Sequence, residues 1–160
     1  MSIERARAHL EKYGFADRIR EFTVSSATVQ LAALALQTDE ARIAKTLSFS
    51  LDGEPILVVA AGDAKVSNSK FKAIFHKKAK MLSFDEVESL IGHGVGGVCP
   101  FGVNPDVRVY LDESLRRFDT VFPAAGTASS AIELSIPELE LSSESLGWVD
   151  VTVVPESTDE

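Results

Sequence analysis

Asp52-Gly53 separates two apolar-patterned runs, Ile43–Leu51 and Glu54–Ala61, and nothing else in the chain constrains its fold as strongly. An Asp-Gly pair reverses the chain tightly between strands, so the segment predicts an antiparallel hairpin. Side chains alternate along a strand, which puts Ile43, Lys45, Leu47, Phe49 and Leu51 on one face. Lys45 therefore stands in line with four large hydrophobes. A buried ammonium is costly unless partnered. Two readings follow: a lysine at the strand's start that snorkels to solvent, or a cation on a pocket floor able to grip a carbonyl, carboxylate or phosphate.

The stretch Gly94-Val95-Gly96-Gly97-Val98-Cys99-Pro100-Phe101-Gly102 holds four glycines, the single cysteine and a proline. Glycine lets other groups approach the backbone closely, and proline fixes φ and removes a donor. This fits a tight turn between strands, and equally a rigid loop whose own N–H and C=O groups face a ligand.

The remaining punctuation predicts a helix over Ser2–Tyr13, capped by Ser2 and ended by Gly14, then a strand over Ile19–Val24. Ser25-Ser26-Ala27-Thr28 offers caps for a helix through Val29–Leu36, followed by a turn at Thr38–Ala41. Val66–Phe75 reads as a helix with Phe71, Ile74 and Phe75 inward, Lys80–Leu82 as a short strand, and Phe84–Ile91 as a helix capped by Ser83. Strands follow at Val107–Leu111, Thr120–Phe122, Ala131–Leu134 and Trp148–Val154, with a turn at Asp112–Leu115 and a short helix from Ser135. Residues 155–160 form an acidic tail expected to fray. Helices and strands mix irregularly around a hairpin, with no repeat and no linker. The expectation is a single α+β domain over residues 1–160, built on a mixed or antiparallel sheet.

No apolar run reaches the roughly 18 residues of a membrane span, and Met1-Ser2-Ile3-Glu4-Arg5 lacks a secretory pattern. One cysteine permits no internal disulfide and suits a reducing cytoplasm. His9, His76 and His93 show no zinc-ligand spacing with Cys99, so no metal or other cofactor is expected. The net charge of −8 is unevenly spread: residues 65–80 carry six lysines and no acid, leaving −14 on the rest. Such asymmetry fits either a solvated helix face or a nucleic-acid contact through phosphates.

The segments Ala44-Lys45-Thr46-Leu47, Ala60-Ala61-Gly62-Asp63, Gly96-Gly97-Val98-Cys99-Pro100-Phe101-Gly102, Ala124-Ala125-Gly126 and Ile132-Glu133-Leu134 resemble, in order and spacing, the YbaK/prolyl-tRNA-synthetase-associated domain family. The resemblance runs from about Phe22 to Leu139. It implies a curved, barrel-like mixed sheet flanked by helices, and a trans-editing deacylase that hydrolyses the ester of a mischarged aminoacyl-tRNA, of tRNA-Pro type or with a related small amino acid.

By the same resemblance Lys45 is the catalytic lysine, at the scissile carbonyl or the terminal adenosine. Gly96, Gly97, Val98, Cys99 and Pro100 would line the aminoacyl pocket, Gly126 its opposite wall, and Thr28 and Ser26 its edge. The substrate's own ribose hydroxyl would help activate water. Lys70, Lys72, Lys77 and Lys78 would contact tRNA phosphates. Partners would be mischarged tRNA and an aminoacyl-tRNA synthetase, with neither membrane nor DNA.

A nucleophilic Cys99 with His93 as base is a sharper chemical alternative, and needs a lowered thiol pKa. Family members usually carry Ser or Thr before the proline, which makes Cys99 an isosteric wall residue instead. The family's cysteinyl-tRNA deacylases resemble G-x-R-G-x-D-I-E-L where this chain reads Gly126-Thr127-Ala128-Ser129-Ser130-Ala131-Ile132-Glu133-Leu134. Ala131 replaces the aspartate and the basic residue is absent, which points to another subgroup and leaves Glu133 a structural role. A different class of function, a non-catalytic binder of tRNA or of a synthetase, would tolerate Lys45→Arg where an enzyme would not.

Overall fold

The computed structural model describes residues 2–155; the end of the expected acidic tail, residues 156–160, lies outside them. In chain order the elements are α1 (Ser2–Glu11), β1 (Arg20–Glu21), α2 (Val29–Leu36), β2 (Ile43–Leu51), β3 (Glu54–Ala61), β4 (Lys65–Val66), α3 (Asn68–Phe75), α4 (Phe84–Ile91), β5 (Arg108–Asp112), β6 (Thr120–Pro123), β7 (Ser130–Ala131), β8 (Leu134–Ser135), α5 (Ile136–Ser142), β9 (Trp148–Val149) and β10 (Thr152–Val153).

The hairpin is the spine of the sheet. β2 and β3 pair antiparallel from Ala44↔Ala61 to Leu51↔Glu54. Asp52 (φ 53°) and Gly53 (φ 86°) both take the left-handed region that this two-residue reversal requires. Around them lies a six-stranded mixed sheet in the order β8-β6-β2-β3-β5-β9, curled into a half-barrel. β2–β6, β3–β5 and β5–β9 are parallel, while β6–β8 is antiparallel. Two short ladders, β1–β7 and β4–β10, lie beside it.

Strand alternation divides the core. Leu57, Val59 and Ala61 pack with Ala6 and Leu10 of α1, Val87 and Ile91 of α4, and Cys99 and Phe101 of the glycine loop. On the opposite face, Phe49, Ile56 and Val58 pack on Phe71 of α3, with Val149 and Val151. α2 closes the end of the sheet by setting Ala32 and Ala33 on Ile43 and Phe122. The fully buried Asp112 carboxylate accepts from Ser114 N (3.0 Å), Val151 N (2.9 Å) and Thr152 Oγ1 (2.7 Å), which ties the chain's end to β5.

Several expected elements are shorter, each for a visible reason. The strand expected over Ile19–Val24 pairs only at Arg20–Glu21, after which single bonds from Phe22 N and Ser26 N reach Ser129 O and Ala128 O. Ala131–Leu134 splits into β7, which pairs with β1, and β8, which pairs with β6. Trp148–Val154 likewise changes partner between β9 and β10, where Val151 N turns to Asp112. Lys80–Leu82 contributes only an isolated bridge from Met81 to Phe49. α1 ends at Glu11, and α3 begins after Ser67, its N-cap. Ile74, expected inward, is exposed, because α3 meets the sheet through Phe71 and Phe75 alone.

Candidate active site

A cavity of about 380 Å³ opens where β6 leaves β2. β6 pairs with β2 only at Ile43 and Ala44. The outer edge of β2 is taken up again at Ser48 and Ser50, through Leu82 N to Ser48 O (3.1 Å) and Ser50 N to Lys80 O (2.8 Å). The cavity fills the gap between these contacts. Ala44, Lys45, Thr46 and Ser48 form its β2 wall, and Thr28, Val29 and Ala32 of the α2 end form a second. Met81, Leu82, Phe84 and Val87 form a third, Val95, Gly96 and Val98 a fourth, and Phe122, Ala124, Ser130 and Ala131 close it. The interior is predominantly apolar. The Thr46 hydroxyl is buried and lacks a hydrogen-bond partner among the described residues.

Lys45 is half-buried at this wall, and its ammonium donates to the carbonyls of Gly62 (3.3 Å) and Ala64. Its register partner is Ala60, so the side chain runs beside β3 to the turn that follows it. Burial pushes the Lys45 pKa down, the Asp63 carboxylate nearby pushes it up, and Lys65 pushes it down. Asp63 is held well on the ionised side by Arg117, whose guanidinium grips both its oxygens. The lysine thus neither snorkels freely nor stands naked on the floor. Three ammonium hydrogens serve two carbonyls, leaving one donor.

The glycine loop divides between cavity and core. Gly96 and Val98 line the cavity, as does Thr28, whose Oγ1 also accepts from Leu31 N (3.1 Å) as the α2 N-cap. Gly97 and Gly126 lie behind it, against each other. A Cβ on Gly97 would sit 2.6 Å from the Gly126 carbonyl carbon, so only glycine admits this approach. Gly126 is therefore backing for the loop and not an opposite wall.

Cys99 and Pro100 are buried and face away from the cavity. Cys99 packs in the main core with Sγ 3.6 Å from both His93 Nε2 and the Phe101 carbonyl. Burial pushes its thiol pKa up to about 12, the reverse of what a nucleophile needs. His93 is fully buried, with Nε2 2.6 Å from Phe101 O and Nδ1 lacking a partner among the described residues. Burial lowers its pKa, partly offset by the Phe101 carbonyl. The pair is a core contact outside the cavity lining, so the cysteine–histidine alternative loses its geometry.

The four candidate phosphate-binding lysines sort themselves by partner. Lys70 donates to Asp150 Oδ1 (3.0 Å) and Thr152 O (2.9 Å), and Lys77 pairs with Asp52 at 3.3 Å. Lys72 and Lys78 are exposed. Glu133 accepts from Thr120 Oγ1 (2.8 Å), Arg42 (3.4 Å) and Arg20 (3.5 Å), a tie between β6, β1 and the β7–β8 corner. Among the described residues no group of three or more His, Cys, Asp or Glu could hold a metal ion, and no helix is long and apolar enough to cross a membrane.

Sequence reasoning missed most of the cavity wall, above all Met81, Phe84, Val95 and Ala131. Only Ala131 carried a signal, as the residue replacing a carboxylate in the resembling pattern. It lines the cavity, so the substitution exchanges a charge there for a methyl group.

Comparison with known proteins identifies the family and the fold. The model of the aminoacyl-tRNA editing domain matches residues 23–141. The Bacillus subtilis protein YwhH, itself named as uncharacterized, is 50% identical over 94% of this chain and 97% of its own. The Enterococcus faecalis protein EbsC, named as a candidate Cys-tRNA(Pro)/Cys-tRNA(Cys) deacylase, is 26% identical over 94% of this chain and 89% of its own. A crystal structure of a candidate trans-editing enzyme for prolyl-tRNA synthetase superposes with a TM-score of 0.85 at 27% identity, covering 95% of this chain and 97% of that one.

Proposed function

The chain belongs to the aminoacyl-tRNA editing domain family, and from that premise we propose that it is a trans-editing deacylase that hydrolyses the ester of a mischarged tRNA. The observation that carries this reading is Lys45: a cation with one uncommitted donor, fixed by backbone carbonyls on the wall of a predominantly apolar cavity. An aminoacyl ester is already activated, so fixing the group, stabilising the developing oxyanion and placing a water suffice. The remaining Lys45 N–H would meet the ester carbonyl. The aminoacyl side chain would enter between Ala32, Ala44, Val98 and Ala131, walls that favour a small, weakly polar group over a charged one.

Neither Cys99 nor His93 lines this space; under the family resemblance, the substrate's own ribose hydroxyl would help activate the water. Ala131, in place of the aspartate of the cysteinyl-tRNA deacylases, supports a substrate other than Cys-tRNA(Pro). Partners under this reading are mischarged tRNA, of tRNA-Pro type, and a synthetase that releases it, in the cytoplasm.

The test is release of labelled amino acid from a panel of mischarged tRNAs by wild type and Lys45→Ala. Wild type should clear at least one pair, with Lys45→Ala about a hundredfold slower, the cost of one lost contact of this type. A folded Lys45→Ala protein with wild-type turnover would remove the assignment. The second reading, a non-catalytic binder, draws on the same two carbonyls, because a lysine that satisfies them also does structural work. It expects no hydrolysis by wild type and unchanged tRNA binding by Lys45→Arg.

A further inference from the structure

Phe84 is 76% exposed, although it is the first residue of an amphipathic helix whose Val87 and Ile91 are buried in the core. Its backbone is held firmly. The Ser83 side chain accepts from Glu86 N while the Glu86 carboxylate accepts from Ser83 N (2.9 Å), a reciprocal cap that fixes the backbone from which Phe84 projects. Just before it, residues 80–82 are fastened to the β2 edge by two backbone bonds and the Phe49–Met81 bridge. Met81 (57% exposed) and Val95 (52% exposed) accompany Phe84 among the cavity-lining residues, so the lining includes a solvent-facing apolar rim.

The rim continues directly from the lysine-rich segment 65–80. The Ser83 hydrogen bonds hold the Glu86 carboxyl below its usual range, and Lys80, the last residue of that segment, adds a smaller downward push. The other aromatic in the lining, Phe122, is buried against Ala32 and Ala33 of α2, which leaves Phe84 as the exposed ring of the lining. We propose that the Phe84 ring, flanked by Met81 and Val95, is a stacking platform for the terminal nucleobase of the RNA whose aminoacyl ester enters the cavity.

This rests on the deacylase reading and deepens it. A ribose joins the base to the ester, so a base whose ester lies at the Lys45 wall must lie at the mouth. An exposed aromatic on a capped backbone, with Lys80 close by, is the chemistry that holds a single-stranded base. The carboxylates beside the ring, Asp85 and Glu86, disfavour phosphate there but not a neutral base face, and Lys80 offsets them.

The probe is an RNA minihelix ending in CC-2-aminopurine, whose fluorescence is quenched when the base stacks; binding is followed separately by anisotropy. Wild type and Phe84→Trp should quench the probe. Phe84→Ala and Phe84→Leu should fold, bind about tenfold or more weakly, and lose the quenching. Deacylation measured in parallel should show a matching rise in KM.

Quenching by both variants at wild-type affinity would overturn the platform, as would minihelix binding without quenching in wild type, or no binding at all. Loss of co-purification with prolyl-tRNA synthetase in Phe84→Ala, with RNA binding intact, would overturn it in favour of a protein contact. Quenching without hydrolysis would leave the platform standing and remove the deacylase reading; hydrolysis with unaltered KM in Phe84→Ala would do the reverse.

Discussion

Arg117 grips Asp63 at two points, Nη1 on Oδ2 at 3.1 Å and Nη2 on Oδ1 at 2.6 Å, on the turn whose Gly62 and Ala64 carbonyls hold the Lys45 ammonium. The clamp lies outside the cavity lining yet fixes what the catalytic candidate leans on. Two opposed effects meet at Lys45: burial favours its neutral form, and the Asp63 carboxylate favours the charged one.

Lys45 should therefore titrate below a free lysine, and Asp63→Asn should lower it further by removing the favourable charge. Resolved Cε signals from labelled lysine, followed through alkaline pH, measure both shifts. An upward shift in Asp63→Asn would contradict the arrangement. For Asp63 the sign is the opposite: its folded pKa is depressed. Its contribution is full above the unfolded carboxylate pKa and is lost as pH falls through the folded one. Arg117→Gln should weaken that acid-side dependence, leaving the part owed to the turn's backbone and to Lys45, at a cost below about 1 kcal/mol, since the pair is partly solvated.

Cys99 should behave as an inert core residue. With its thiol pKa raised to about 12, native protein at neutral pH should react with a disulfide reagent far more slowly than unfolded protein. Cys99→Ser should keep its deacylase rate, because Sγ faces His93 and Phe101 O and not the cavity. An acyl adduct trapped on Cys99 would contradict both expectations.

Gly97→Ala should destabilise by about 1–3 kcal/mol, the cost of forcing a methyl group into packed backbone. The groups in its way, Gly126 and Thr127 N, are main chain at 2.6 Å and cannot swing aside as a side chain could. Thermal unfolding measures the loss. A Tm equal to wild type would show that the two loops separate without cost.

What the sequence disclosed was local. Asp52-Gly53 set both hairpin strands to their observed ends because the turn and the register are written in adjacent residues. Ser83 with Glu86, and Ser135 with Glu138, mark helix starts within a four-residue window. The cavity was not legible, since it exists only because β6 leaves β2 after Ala44 and residues 80–82 rejoin it at Ser48. The glycine loop was legible only in part. Its composition signals close backbone approach, and Gly97 makes that approach to the Gly126 loop while Gly96 and Val98 line the cavity.

The lysine segment gives the last prediction, because the structure separates residues that composition treats alike. Lys70 and Lys77 already pair with Asp150 and Asp52, so phosphate would have to compete for them. Lys72 and Lys78 extend into solvent. Neutralising Lys72 and Lys78 together, each to Gln, should weaken tRNA binding and flatten the slope of log affinity against log salt by roughly 1.5–2 units, two phosphate contacts' worth. The Lys70/Lys77 double variant should flatten it less. Turnover at saturating tRNA should hold in both, since these contacts serve substrate and transition state alike. Equal slopes in wild type and the Lys72/Lys78 variant would show a solvated helix face with no part in tRNA binding.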